Sequence, residues 1–344
     1  MHRSKTTVVN QHGFSVVELM VAMVVSLILM AGVLQVFASS RATYTINDQL
    51  ARLQENERIA ADMIQSDIRQ AGYLGCAKEV PFTNTLNNQT AVQWNFAVPL
   101  QGYQATGTST WSPAIDANAI VSPRSDSDIL AVRVPMRGGQ SVPITAAMTA
   151  STADLETTAV SPAPFAAGDV VMLSDCNAAA VFQVTAYAAD GTVSHAAGAA
   201  VAGKGPGNAS NDLGYAFGAN ATIMPIETVI YYVRDNADGE PSLWRRAGGA
   251  PAEEIVEGVD SMQVLYGEDT SGDREVDGYV TANNVTNWED VLSIRVGLLL
   301  RTGQFGTTTD SQTYTVLDTT FGPAADRRQR LVLTTTATLR NRAI

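Results

Sequence analysis

Carboxylates dominate the groups in this chain that could do chemistry. Its 344 residues carry 34 Asp and Glu against 22 Lys and Arg, three histidines and two cysteines. Glu18 stands alone at the mouth of an apolar run. A carboxylate in hydrocarbon costs about 2–3 kcal/mol unless a partner satisfies it, so its presence there points to a function. Far downstream, Asp269, Ser271, Asp273, Glu275 and Asp277 put oxygen side chains at alternate positions, as a loop folded around a hard cation such as calcium requires. Arg274 replaces the glycine of an EF-hand loop, Val280 its bidentate glutamate and Ser271 a stronger ligand, so an acidic hairpin turn competes with the calcium reading. His195 lies in an Ala/Gly-rich stretch and reads as a solvated loop histidine. With His2 and His12 in the first 13 residues, a histidine-rich metal site has no residues to draw on and a Ser-His-Asp triad is disfavoured. No catalytic residue is assigned, and no cofactor is expected beyond calcium as a candidate.

The element that must position Glu18 is a helix. Leu19–Ala38 is uncharged over 20 residues, which as a helix rises about 30 Å, the thickness of a bilayer's hydrocarbon core. Arg3 and Lys5 precede it with no opposing acid, which keeps residues 1–13 in the cytoplasm and exports everything after Ala38. A secretory signal cut after Val36-Phe37-Ala38 would have an apolar core of only about 7–15 residues and no acid at its start. A plain anchor explains the length but not Glu18. Beyond the span, Ile46, Leu50, Leu53, Ala60, Ile64, Ile68 and Ala71 keep a helical period while charged residues take the other faces. The helix is expected to stop near Gly72 or Gly75. Phe14 to Gln70 then makes roughly 85 Å of helix, half in lipid and half against a globular head, with Gly32 as a point of loosening.

From about Cys76 the texture changes. Segments 128–134, 169–173, 181–187, 228–234, 262–266, 293–300 and 330–339 are rich in Val, Ile, Leu, Thr and Tyr and predict an antiparallel sheet system. The Asp-Gly turn in 235–241 predicts a hairpin joining 228–234 to 242–245. Residues 80–125 read as a surface excursion and 188–220 as a mobile loop. Within that loop Gly203-Lys204-Gly205-Pro206-Gly207 lacks the residue order of a phosphate-binding loop. The fold class is therefore α+β: a long N-terminal membrane-spanning helix packed on an antiparallel β-sheet head with long loops. With 45% apolar and 16% charged residues, the exported part can fill one substantial core or two small ones.

Cys76 and Cys176 are both on the oxidising side, where pairing is favoured over two buried thiols. A bridge would close a loop of about 100 residues, contributing on the order of 4 kcal/mol, and staple the helix end to the head. Arg327, Arg328, Arg330, Arg340 and Arg342 form a C-terminal cluster. It could bind an anion or a DNA backbone, but reads better as strand-edge charges paired with nearby acids. Without Arg3 and Lys5 the chain has 20 bases against 34 acids, a formal charge of −14, which disfavours nucleic acid as a partner.

The short basic segment, Gly13, Phe14 and Glu18 before a long apolar helix resemble the type IV prepilin leader. That resemblance implies cleavage between Gly13 and Phe14 by a prepilin peptidase, N-methylation of Phe14, and pairing of Glu18 with a terminal amine in the growing fibre. Residues 67–76, 259–269, the stretch through Trp288 to Arg301 and 334–341 resemble PilW-type minor pilins; 80–225 carries no such likeness. The resemblance implies a type IV pilin-like fold divided into a leader (1–13), a transmembrane half-helix (14–38), an amphipathic half-helix (39–75) and a β-rich head (76–344). It further implies a minor pilin that helps start pilus assembly at or near the tip, within a system of adhesion and twitching motility. Its partners would be the inner membrane, other minor and major pilins and a candidate tip adhesin. The head would face the periplasm and then, in the fibre, the cell surface. The alternative is a minor pseudopilin of a type II secretion system, which shares leader, helix and sheet; a tethered protein with an uncut leader is the third class.

Overall fold

The computed structural model describes Gly13 and residues 15–76, 80–201, 203–303 and 311–342. Phe14 and residues 1–12, which hold the rest of the expected leader, lie outside the described residues. Two compact units divide the chain, Met1–Arg52 and Leu53–Ile344.

One helix, Val16–Gln70, runs through both units. It continues through Gly32 without a break, so the expected loosening there is not seen. Hydroxyls in its apolar part are satisfied within the helix: Ser26 Oγ donates to the Ala22 carbonyl at 2.7 Å, which removes the cost of a bare donor in an apolar medium. This is the one helix among the described residues long and apolar enough to cross a membrane, its most apolar 18-residue window having a mean hydropathy of 2.5. At the other end Gly72 takes φ +67°, the left-handed conformation that stops a helix. The terminal carbonyls are capped from the far end of the chain, where Asn341 Nδ2 donates to the Ala71 carbonyl at 3.1 Å.

The head is built on the long strand Thr222–Asp235. Its first part pairs with Val170–Ser174, its second with Ile129–Pro135 on one side and Pro241–Ala247 on the other. The hairpin expected around 235–241 forms, with Asp235 opposite Pro241. Both faces of this strand are covered, which is why it reads as a continuous apolar run. Val229, Tyr231 and Val233 face a core that includes Leu53, Ala60, Ile64 and Ile68 of the helix. Ile230 and Tyr232 face a second cluster. A separate four-stranded antiparallel sheet, in the order Gly278–Val280, Val259–Glu268, Val291–Arg301, Arg330–Thr338, adds Met262, Val264, Ile294, Val296 and Leu298 to the helix-facing core.

Three expectations are corrected. The large sheet is not wholly antiparallel, since Phe82–Asn84 runs parallel to Ala179–Gln183. Residues 80–125 are not a surface excursion: they supply the strand Leu100–Gly107 and bury Leu86, Val92, Phe96, Tyr103 and Ile120. Part of the loop 188–220 is likewise structured, as the short strand Thr192–Ser194 and the buried Leu213 and Phe217.

Cys76 and Cys176 form a disulfide with their Cα atoms 5.3 Å apart, tying the residues after the helix to the loop behind Val170–Ser174. Of the C-terminal arginines, Arg328 and Arg330 pair with acids, as expected of them. Glu240 receives both terminal nitrogens of Arg328, at 2.6 and 2.8 Å, and Arg301 at 2.7 Å. Asp260 bridges Arg301 and Arg330 at 3.0 and 2.7 Å, and Asp326 holds Arg330 at 2.7 Å. Arg301 and Arg330 are direct cross-strand partners, a repulsive placement that the shared acids neutralise.

Two outcomes follow from these links. Replacing both cysteines by serine in the full chain should lower unfolding stability by about 3–5 kcal/mol; an unchanged denaturation midpoint would contradict the link. The Arg328 hydrogen bonds hold the Glu240 carboxyl at about 2, and those of Arg330 hold Asp326 at about 2. Both folded values are depressed, so the stability they contribute is complete above about pH 4.5 and is lost as pH falls toward about 2. The urea midpoint should drop across that window, and Glu240→Gln should flatten the drop; a variant with the same acid slope as the parent would refute the assignment.

Candidate assembly site

Glu18 lies in the first turn of the helix and is exposed. Ser15-Val16-Val17-Glu18 forms a capping box. The Ser15 backbone N–H donates to Glu18 Oε2 at 3.4 Å, and the Val17 N–H donates to Ser15 Oγ at 3.3 Å. A single long hydrogen bond from a neutral amide leaves most of the carboxylate's requirement unmet. The first cation after it in sequence is Arg41, beyond the apolar span. The serine-x-x-glutamate spacing before an apolar run was the signal for this second role of Glu18.

A second acid of the same helix has the opposite environment. Asp67 is fully buried in the head and receives four hydrogen bonds from three side chains. Arg137 donates to Oδ1 through Nη2 at 2.6 Å and Nε at 3.1 Å, the Tyr231 hydroxyl donates to Oδ2 at 2.6 Å, and Arg245 Nε reaches Oδ2 at 3.3 Å. Arg245 also forms an ion pair with Glu227 at 3.5 Å, longer than a hydrogen bond. Burial pushes the Tyr231 phenol well above its usual range and the adjacent Asp67 charge adds to that, so it stays a donor. Asp67 thus fastens the last turns of the helix to the long strand and to the turn after Ile129–Pro135. Its position was readable: it follows Ala60 and Ile64 and precedes Ala71 at helical spacing, an acid on the apolar stripe.

The acidic turn at 269–277 uses its carboxylates on its own backbone. Asp269 accepts from the Gly272 and Arg274 amides at 2.6 and 2.7 Å, and Asp277 from those of Thr270 and Ser271 at 2.7 and 2.9 Å. Asp273 accepts from the Glu275 amide at 2.9 Å. Ser271 Oγ donates to Asp269 at 3.3 Å. Among the described residues no group of three or more His, Cys, Asp or Glu is gathered as a metal ion would need. His195 is not solvated. It is 1% exposed, with Nε2 2.9 Å from the Ala153 carbonyl and its ring tilted against Phe182.

Residues 9–34 match the family described as Prokaryotic N-terminal methylation motif, and residues 230–341 match that described as Type IV Pilus-assembly protein W. No curated protein and no solved structure matches the chain. The first match spans Gly13, Phe14 and Glu18. The second spans the hairpin, the four-stranded sheet and the arginine-carboxylate network, while Asp67 and the disulfide fall outside both.

Asp67→Ala would leave Arg245 and the Tyr231 hydroxyl without their buried partner. The full chain should lose about 3–5 kcal/mol of stability, read by chemical denaturation, since breaking a buried pair strands the remaining charge; a loss below about 1 kcal/mol would show that water replaces the carboxylate.

Proposed function

The chain is a type IV pilin of the PilW type, and from that premise we propose that it acts as a minor pilin that helps initiate pilus assembly and sits at or near the fibre tip. Glu18 carries this reading. It opens a helix able to cross a membrane and, among the described residues, has only backbone of its own helix cap to satisfy it. Cleavage between Gly13 and Phe14 by the prepilin peptidase creates a positive amine four residues before this acid, about 6 Å along the helix. The amine of one subunit then meets the carboxylate of its neighbour at a one-step stagger, and the apolar faces of the helices supply the remaining contact area.

The membrane anchors the chain before assembly, with the head in the periplasm; in the fibre the head is displayed at the cell surface. A head of the size of Leu53–Ile344 needs lateral room, which a closely staggered shaft restricts and a tip provides. The partners are other minor and major pilins, with a tip adhesin as a further one. The head works as a structural part and needs no catalytic group.

Glu18→Gln and Glu18→Ala separate the two roles of this acid, because glutamine keeps the capping box and loses the charge. Both variants should be inserted and cleaved, and both should be missing from sheared surface fibres. Normal incorporation of Glu18→Gln would reduce the acid to a helix cap. Retention of the unaltered chain in the periplasm, with lost enzyme secretion on its deletion, would assign it to a secretion system instead.

A further inference from the structure

The head contains a cavity that the assembly reading does not use. It lies beside Gly72–Leu74, and its volume is about 400 Å³, within the roughly 300–1,000 Å³ of small-molecule sites. Phe82, Phe96, Met172, Val181 and Ile226 give it apolar walls, and two guanidinium residues, Arg133 and Arg342, belong to the lining. The one acid among the described lining residues, Glu289, is exposed to solvent.

Arg133 is only 4% exposed. Its Nη2 donates to the Val92 carbonyl at 2.9 Å and stands 3.5 Å from Gln101 Oε1, while Nε and Nη1 have no partner. Arg342 donates through Nη1 to the Glu289 carbonyl at 3.3 Å, and its Nε is buried without a partner. The other deeply buried arginines of the head each face carboxylates: Arg245 has Asp67, Arg328 has Glu240, and Arg330 has Asp260 and Asp326. For Arg133 the one titratable group acting on it is the Tyr103 phenol, and burial lowers its pKa to about 10, which keeps it charged at neutral pH. A buried cation with no anion is costly to hold, and an anion brought in from outside removes that cost.

We propose that this cavity binds a small carboxylate with an apolar body, its charged end on Arg133 and Arg342 and its body against Phe82, Phe96 and Met172. A single negative charge fits the site. The two guanidinium charges and the Glu289 carboxylate together leave one net positive charge at the lining, which a monoanion neutralises. The assignment rests on the cavity and its unmatched charge alone, and stands or falls separately from the pilin role.

The test uses the full chain in phospholipid nanodiscs, with empty nanodiscs as blank, titrated calorimetrically with 4-phenylbutyrate. Saturable binding is expected, at least tenfold tighter than that of 4-phenylbutanol or 4-phenylbutylamine, with no binding of inorganic phosphate in the same range. Arg133→Met should weaken 4-phenylbutyrate at least tenfold and melt above the parent chain, because it removes the unmatched buried charge. Arg342→Gln should weaken it severalfold at an unchanged melting temperature, and carries the test if Arg133→Met does not fold. No saturable heat, equal binding of the alcohol, phosphate binding as tight as the carboxylate, or undiminished affinity in the folded arginine variants would overturn the proposal.

Discussion

A carboxylate at the edge of hydrocarbon has to be answered by a positive charge, and the described residues do not supply one near Glu18. The residue keeps a weak hydrogen bond to its own helix cap, and the apolar run that follows contains no base. The rest of the structure takes its meaning from that deficit. A helix long and apolar enough to cross a membrane holds Glu18 in its first turn, where a missing charge costs most, and on the proposed function a neighbouring subunit supplies that charge in register.

The contrast with Asp67 gives the argument its scale. Both acids belong to the same helix, yet Asp67 has two guanidinium groups and a phenol around it inside the head. One acid is fully satisfied by side chains of the head, so the end of the helix is fixed to the sheets; the other, on the proposed function, awaits a contact between subunits. The disulfide and the Asn341 cap fasten the same junction. The helix end is therefore held to the head by covalent and polar links as well as apolar contact.

Much of this was legible in the sequence where a local rule governs. The uncharged span, the stop at Gly72, the Asp-Gly hairpin and most strands of the C-terminal half follow from periodicity and turn chemistry, although the strand expected at 228–234 begins six residues earlier, at Thr222. The disulfide followed from compartment and count. What escaped is non-local. Leu86, Val92, Phe96 and Tyr103 are scattered among Asn, Gln, Thr and Gly, so no period announced that they cover the back of the large sheet. His195 was hidden in the same way, its burial coming from Phe182 and Ala153, remote in sequence. The acidic turn has the ligand spacing of a cation loop, and what the spacing does not show is that its carboxylates accept from the turn's own backbone amides. Arg133 sits in a strand where its neighbours alternate as core residues, and only the packed structure shows that no acid among the described residues meets it.

The most direct measurement of the central claim is the N-terminus of the native polypeptide, determined by mass spectrometry on the chain isolated from surface fibres. The account predicts a chain that begins at an N-methylated Phe14, so that a positive amine exists four residues from Glu18. A chain that still carries its first 13 residues would contradict it, because the charge that answers Glu18 would never have been made.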